Sequence, residues 1–191
     1  LTTTRTLDNG NGGSGTRTWA NSGTFIRSNG SNLLMAYEDG ARAYVDLGSN
    51  LDCVAQIAFN MSAACNIVVA GLKTTGSATW DAAIAAVMVG TGEIRLREYD
   101  AGGTPTDRAT QTLTTAISTG TWYILELVRS GNTWTCNLRN SDGSLREGKS
   151  YTAGSTPSGN YWGFGFLNGG ATATFDNFLV EDAAAAAVDL T

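Results

Sequence analysis

The chain has 191 residues, of which 42% are hydrophobic and only 15% are charged, with a formal net charge of −5 and no histidine. This length is typical of one domain with a single core. The acidic balance argues against a nucleic-acid partner, because neutralising phosphates requires a clustered surface of Lys and Arg. The lack of histidine excludes catalytic triads that depend on it and removes the commonest zinc ligand.

The two ends of the chain differ in composition from the middle. Residues 1–16 are polar and rich in Gly and Thr, so this N-terminal arm is predicted to order only by pairing with a neighbouring strand, including one of another subunit. Residues 17–182 form the predicted domain. Residues 183–191 begin with five alanines and are predicted to be a short helix or a linker.

The middle of the chain consists of short strand patterns separated by turn residues. Asn29-Gly30 and Asp39-Gly40 are typical of the turns that join neighbouring strands. Only a few small residues separate LDCVAQIAF from CNIVVAGLK, which predicts a hairpin. DAAIAAVMV is apolar on both faces, and we interpret it as a central strand rather than a helix because Gly90 ends it and valines are frequent in strands.

Alternation of apolar and polar residues is clearest in EIRLREY, where Ile94 and Leu96 face one side and Arg95 and Arg97 the other. Further strand patterns continue to residue 182: WYILELVR, NTWTCNLR, LREGKSYT, NYWGFGFL and ATFDNFLVE. About a dozen strands without an amphipathic helix between them predict an all-β domain, an antiparallel β-sandwich of sheets packed face to face.

The last predicted strand, TFDNFLV, carries apolar residues on both faces. Strict alternation places Asp176, Phe178 and Val180 on one face. It places Phe175, Asn177 and Leu179 on the other. Such a strand is predicted to lie in the middle of its sheet or to be covered on both sides.

Three segments carry a resemblance to a known family. They are TRTWANSGTFIRSNGSNLL, TGTWYILELVRSGNTWTCNLRNSDGSL and YWGFGFLNGGATATFDNFLVED. Together they resemble the concanavalin A-like, or laminin-G-like, lectin and glucanase jelly-roll superfamily over residues 17–182. The resemblance implies a jelly roll, a glycan or cell-surface polymer as ligand, and an extracellular or virion-surface location.

Glucanases of this superfamily carry two catalytic carboxylates on one strand with even spacing. The nearest candidates are Glu93, Glu98 and Asp100. Glu93 and Glu98 are predicted to point to opposite faces of a strand, and Asp100 begins a loop. Arg95 stands where the glucanase pattern has an aspartate. We therefore predict that the protein is not an enzyme.

Neither a cofactor nor a metal ion is required by any motif. The glycine runs follow no strand-turn-helix pattern, so we expect no cofactor. Calcium stays an open alternative, because the superfamily often binds it, and the weak candidates are Glu38 with Asp39 and Asn140 with Asp142. Neither pair has the spacing of a dedicated loop, and NSDGS is typical of a hairpin turn.

Sugar binding would use exposed aromatic rings beside amides and carboxylates. The aromatic residues least explained by strand alternation are Trp80, Tyr99 and Trp162, with ordinary core or edge packing as the alternative for each. Trp19, Trp122 and Trp134 are predicted to be core residues.

The three cysteines, Cys53, Cys65 and Cys136, are odd in number and lie in apolar runs. They are predicted to be buried and reduced, with one disulfide as the alternative.

These observations predict a non-catalytic domain for recognition or adhesion that binds carbohydrate or a cell surface, on a virion or another extracellular assembly. The alternatives are a purely structural virion component, such as a capsid decoration or tail domain, and a glycoside hydrolase. No membrane insertion is expected, since no run approaches the roughly 18 apolar residues of a membrane span.

Overall fold

The computed structural model describes residues 4–8, 14–21, 26–28, 34–36, 42–46, 52–73, 80, 82–155, 158–167 and 171–182. Within these residues it contains β-strands and no helix, which confirms the predicted all-β class. The strands are β1 Thr4–Asp8, β2 Ser14–Asn21, β3 Ile26–Ser28, β4 Leu34–Ala36, β5 Arg42–Asp46, β6 Cys53–Met61, β7 Asn66–Lys73, β8 Ala83–Val89, β9 Glu93–Tyr99, β10 Pro105–Thr112, β11 Tyr123–Ser130, β12 Thr133–Asn140, β13 Leu145–Thr152, β14 Tyr161–Leu167 and β15 Ala173–Asp182.

The strands form two sheets packed face to face. The eight-stranded sheet has the order β1-β2-β5-β14-β7-β8-β9-β10, and the seven-stranded sheet has the order β13-β12-β11-β6-β15-β4-β3. Neighbouring strands are antiparallel throughout both sheets. The predicted antiparallel β-sandwich is therefore confirmed.

The core lies between the sheets and is centred on aromatic residues from both of them. Trp134 of β12 packs on Trp162 of β14, with ring centroids 6.2 Å apart. Phe164 of β14 packs on Phe175 and Phe178 of β15 at 5.1 and 5.0 Å. All five side chains are buried, so the two sheets share one continuous apolar interior.

The predicted hairpin between LDCVAQIAF and CNIVVAGLK is wrong. β6 lies between β11 and β15, whereas β7 lies between β14 and β8 in the other sheet. The backbone N–H of Ser62 donates to the carbonyl of Thr172, beside β15, so the chain crosses from one layer to the other at this turn. Small residues between two strands indicate a turn, but they do not decide whether the strands pair.

The two predictions for β8 and β9 are confirmed. β8 is a central strand, with Ile84, Ala86 and Met88 in the core. In β9, Ile94 and Leu96 are buried, while the arginines between and after them face away from the core.

The predicted facing of residues in β15 is wrong beyond Asp176, although the strand does lie inside its sheet, between β6 and β4. Asp176 pairs with Ala58, but Leu179 pairs with Gln56, so one extra residue bulges out between them. Asn177 has φ of 50°, a left-handed conformation that asparagine tolerates better than most residues. Because the bulge resets the alternation, Phe178 joins Phe175 in the core.

Some predictions concern residues that the structure does not describe, or the N-terminal part of the chain. The turns at residues 29–30 and 39–40 and the segment 183–191 lie outside the described residues. Part of the predicted N-terminal arm, Thr4–Asp8, pairs with β2, and β2 begins at Ser14. Within the described residues there is no helix long and apolar enough to cross a membrane.

Replacing Gly71 by alanine tests how tightly the core is packed. An added Cβ would overlap ring atoms of Trp162, which is only 1% exposed. Because this indole cannot move without opening the core, we expect Gly71→Ala to lower the free energy of unfolding by about 1–3 kcal/mol, measured by urea denaturation.

Gly92→Ala is the matched control, since a Cβ there meets nothing within 4 Å. It should change the unfolding free energy by less than about 0.5 kcal/mol. Equal stability of the two variants would contradict this account of the packing.

Candidate functional site

The outer face of the seven-stranded sheet carries a group of polar side chains at its centre. Strand alternation in β11 buries Leu125 and Leu127 in the core, so Glu126 points to the opposite face. Glu126 pairs in register with Asn137 of β12 on one side and with Gln56 of β6 on the other. We call Gln56, Glu126, Asn137 and Arg139 the polar face.

Glu126 is the centre of this group and is only 5% exposed. The Asn137 amide donates to its Oε1 at 2.7 Å. Arg139 donates through Nε to Oε2 at 3.1 Å and through Nη2 to Oε1 at 3.0 Å. A buried carboxylate is costly unless it is paired and hydrogen-bonded, and both conditions are met here.

These three hydrogen bonds do not use the full capacity of the carboxylate. Two carboxylate oxygens present about four acceptor sites, so these three hydrogen bonds leave about one acceptor site of Glu126 unused. Asn137 and Arg139 hold the carboxylate in one orientation, as a binding site requires of its polar groups.

Gly148 of β13 makes room for the Asn137 side chain. Gly148 is the cross-strand partner of Asn137, and a Cβ at this glycine would lie 2.5 Å from Asn137 Oδ1. Real Cβ atoms do not approach an oxygen this closely. A glycine at position 148 therefore allows the Asn137 amide to lie beside β13 while its nitrogen contacts Glu126.

Two further features lie near the strands of the polar face: Trp122, next to β11, and the bulge of β15, the strand beyond β6. Trp122 directly precedes β11 and is partly exposed, so its prediction as a core residue is wrong. Alternation continued back from buried Tyr123 places Trp122 on the side of Glu126. Asn177 is exposed in the bulge, and its backbone N–H donates to Asp176 Oδ1 at 2.9 Å.

The structure does not bring the three predicted aromatic residues together in an exposed site. Trp162 is a core residue between the sheets, because its position in β14 places it with Phe164 and Phe166. Trp80 and Tyr99 are 3% and 6% exposed and pack with Val68 and Val87 in a second apolar cluster. This cluster lies on the outer side of the eight-stranded sheet, since Tyr99 alternates with core residues of β9.

Comparison with known proteins shows which solved structures share this architecture. No protein-family model matches the sequence, and no curated protein matches it. Among solved structures, the carbohydrate-binding module CBM66 from Bacillus subtilis superposes with a TM-score of 0.65 at 14% identity, covering 86% of this chain and 95% of that one.

Two further structures are similar. The exoplasmic domain of VIP36, in its Ca²⁺- and mannose-bound form, has a TM-score of 0.56 at 14% identity, with 86% of this chain and 85% of that chain covered. The alginate lyase from Klebsiella pneumoniae has a TM-score of 0.51 at 9% identity, with 90% and 82% covered. The chain has the concanavalin A-like lectin and glucanase fold.

Solved structures with the concanavalin A-like fold include binding domains and an enzyme. The surroundings of the carboxylates in and after β9 therefore bear on whether they could act in catalysis. Glu93 forms an ion pair with Arg95, and Glu98 forms one with Arg108 at 2.7 Å. Asp100 Oδ1 accepts the backbone N–H groups of Gly102 and Thr104, both at 2.8 Å. All three carboxylates are engaged in ion pairs or a turn, as expected for structural groups.

The predicted calcium candidates of this concanavalin A-like sandwich lie in a turn or outside the described residues. Asn140 and Asp142 belong to the β12–β13 turn, where Asp142 Oδ1 accepts Ser144 N at 2.9 Å and Ser144 Oγ at 2.6 Å. The Ser144 hydroxyl lowers the pKa of Asp142. Glu38 and Asp39 lie outside the described residues, and within the described part no group of three His, Cys, Asp or Glu could hold a metal ion.

The sequence contains a local pattern that indicates the polar face, although the sequence-based prediction of the site did not include these residues. Glu126 is the one charged residue inside the apolar run YILELV. The Gly131-Asn132 turn pairs Ser130 with Thr133, and that register brings Glu126 opposite Asn137. A charged residue on a strand whose opposite neighbour is an amide indicates a polar cluster on a sheet face.

The three cysteines of the concanavalin A-like sandwich are free and buried, which confirms the prediction of reduced core thiols. Burial raises the pKa of Cys65 to about 12 and also raises the pKa of Cys136. We expect almost no reaction of the folded protein with Ellman's reagent at pH 8, because the reactive species is the thiolate. After denaturation all three thiols of the chain should react. Rapid reaction of a thiol in the folded state would contradict the burial.

Proposed function

We propose that the protein is a non-catalytic carbohydrate-binding domain and that its ligand binds at the polar face. The observation that carries this proposal is the oriented carboxylate of Glu126, held by Asn137 and Arg139 on the outer face of a sheet. Carboxylates and amides in fixed positions are the groups that orient a sugar through its hydroxyls.

Three further features support the proposal. Trp122 is partly exposed and directly precedes β11, and we assign its ring to the apolar side of a sugar. Gln56 adds a second amide in the same cross-strand row as Asn137. Solved structures that share the fold include a carbohydrate-binding module and a mannose-bound lectin domain.

The alternative is a glycoside hydrolase of the same fold. Asp176 shares the outer face with Glu126, since its partner Ala58 faces away from the core. The register sets the two residues two strands apart and one cross-strand row apart, which corresponds to a Cα separation of about 12 Å. In most glycoside hydrolases the two catalytic carboxyl groups lie about 5–9.5 Å apart, so the side chains of Glu126 and Asp176 would have to point toward each other to act as such a pair. Release of reducing ends from a bound polymer would favour this alternative.

The other parts of the sequence-based hypothesis stay predictions. They concern display on a virion or another extracellular assembly, pairing of the N-terminal arm with a neighbouring subunit, and calcium dependence. Light scattering measures the subunit number, and binding measured with and without EDTA tests the calcium dependence.

Glu126→Gln tests the role of the carboxylate. Glutamine keeps the shape of the side chain but removes the charge and half of the acceptor capacity that we assign to the ligand. We expect glycan affinity to fall about 10- to 100-fold, because hydrogen bonds to charged groups contribute about 1.5–3 kcal/mol. The measurement is a glycan array followed by calorimetry on the best ligand.

Glu98→Gln is the matched control, since it removes the same charge from an ion pair on the other sheet. Its affinity should stay within about twofold of the parent protein, because Glu98 lies outside the proposed site. An equal loss in both variants would contradict a specific role for Glu126, and binding that is unchanged in Glu126→Gln would refute the site.

Gly148→Ala tests whether Asn137 orients the carboxylate. The added Cβ would displace Asn137 Oδ1 and lengthen the hydrogen bond to Glu126 without removing any polar group. We expect about a tenfold loss of glycan affinity, which corresponds to about 1.4 kcal/mol.

The matched control is Gly154→Ala, where a Cβ meets nothing within 4 Å. Circular dichroism and urea unfolding of both variants separate a local effect from loss of the fold. If Gly148→Ala binds as tightly as Gly154→Ala, Asn137 does not position Glu126 for the ligand.

A further inference from the structure

The outer surface around the polar face has an excess of negative charge. Among the strands that form its centre, the residues facing away from the core are known from the register of β6, β11, β12 and β15. Glu181 faces outward because it pairs with Val54, which lies between buried Cys53 and Ala55. The charged residues on this surface of the four strands are Glu126, Arg139, Asp176 and Glu181. Carboxylates therefore outnumber the one guanidinium by two.

Arg139 is the one cation on the outer side of these four strands, and it is already engaged. Arg139 directs Nε and Nη2 to Glu126, and its Nη1 donates to the carbonyl of Gly143 at 3.2 Å. An arginine that recognises a carboxylate-bearing ligand needs the open side of its guanidinium free for two parallel hydrogen bonds. In this structure, that geometry is directed to Glu126 of the same protein.

The remaining groups suit hydroxyls. The amides of Gln56 and Asn137 each both donate and accept hydrogen bonds, and Glu126 accepts them. A sugar hydroxyl also both donates and accepts, so it satisfies these groups without bringing a charge. A uronate carboxylate would instead meet Glu126 with no unpaired cation beside it, and like charges at close range are unfavourable.

We infer that the ligand of the polar face is an uncharged glycan and that polymers of uronic acids are rejected. This inference rests on the proposed carbohydrate-binding function and adds the chemical class of the ligand. It separates this protein from a structural neighbour, the alginate lyase, whose named substrate is an acidic polymer. The arrangement of charges predicts this difference even though the two proteins share a fold.

The experiment is affinity electrophoresis of the full chain in gels that contain one polymer each. The neutral probes are mannan, xylan, galactan, fructan and mixed-linkage β-glucan, and the acidic probes are alginate, polygalacturonate and hyaluronan. Fully methyl-esterified polygalacturonate is the matched partner of the free acid, since it keeps the same sugar chain and replaces each charged carboxylate by a neutral methyl ester. Runs in low-salt buffer keep the repulsion between protein and acidic polymer largely unscreened.

Retardation by at least one neutral polymer and by none of the acidic ones supports the inference. Retardation by any of the acidic polymers overturns the inference and leaves the proposed function in place. No retardation by any polymer contradicts the proposed function itself, on which the inference depends.

A charge-neutralised variant tests the cause of the selectivity. Asp176→Asn with Glu181→Gln removes the excess charge and leaves Glu126, Asn137 and Arg139 in place. Polygalacturonate should retard this variant measurably in low salt, although it does not retard the parent. The difference should vanish in roughly 0.5 M NaCl, because salt screens the charges. Glu93→Gln with Glu98→Gln, on the other sheet, is the equal-charge control. The same gain in both variants, or a gain in neither, would overturn the electrostatic explanation.

Discussion

The packing of Trp134 on Trp162 between the two sheets is the contact on which the rest of this architecture depends. One ring comes from each sheet, and Gly71 leaves the space that the Trp162 ring fills. These rings fix which side of β12 and β14 faces inward. Because successive side chains of a strand point to opposite faces, the remaining residues of both strands are then assigned to one face or the other. The outward position of Asn137 and Arg139 is therefore a consequence of where Trp134 packs, three and five residues earlier in the chain.

A charged residue at the centre of a sheet face has an energetic cost that the structure offsets locally. Glu126 is buried by its neighbours and is stabilised by an amide and a guanidinium from the adjacent strand. Replacing such a group by an apolar residue is often neutral or stabilising, so its presence is poorly explained by stability alone. Binding supplies a physical reason for keeping an oriented carboxylate at this position, which is why the polar face and not the apolar cluster around Trp80 carries the proposal.

The sequence predicted the class of fold well because strand alternation and turn residues are local signals. It placed β8 and β9 correctly, since valines, alternation and flanking glycines all agree there. It did not predict that β6 and β7 belong to different sheets, because that choice depends on which distant strands cover them. The bulge at Asn177 was also missed, since an extra residue in a ladder is visible only once the partner strand is known.

Prediction of the site was weaker for the same reason. Trp162 was predicted as a surface candidate but is buried in the core, and Trp122 was predicted as a core residue but is partly exposed. An aromatic residue at a strand end or in a strand has no local signal that separates a core position from a surface one. Glu126 and Asn137 were recoverable, because the register of one hairpin suffices to bring them together, but the composition of the sequence draws attention to its aromatic residues first.

The location of the polar face within the chain bears on how the fold forms. Glu126, Asn137 and Arg139 all belong to β11 and β12, consecutive strands joined by a two-residue turn. Closing a short loop costs little entropy, so this hairpin can assemble early, whereas β6 reaches the same sheet only through contacts far apart in sequence. The groups to which we assign ligand binding are thus concentrated in a segment that carries its own register. A graft of this single hairpin into another antiparallel sheet would transfer most of the polar face, with Gly148 supplied by the third strand.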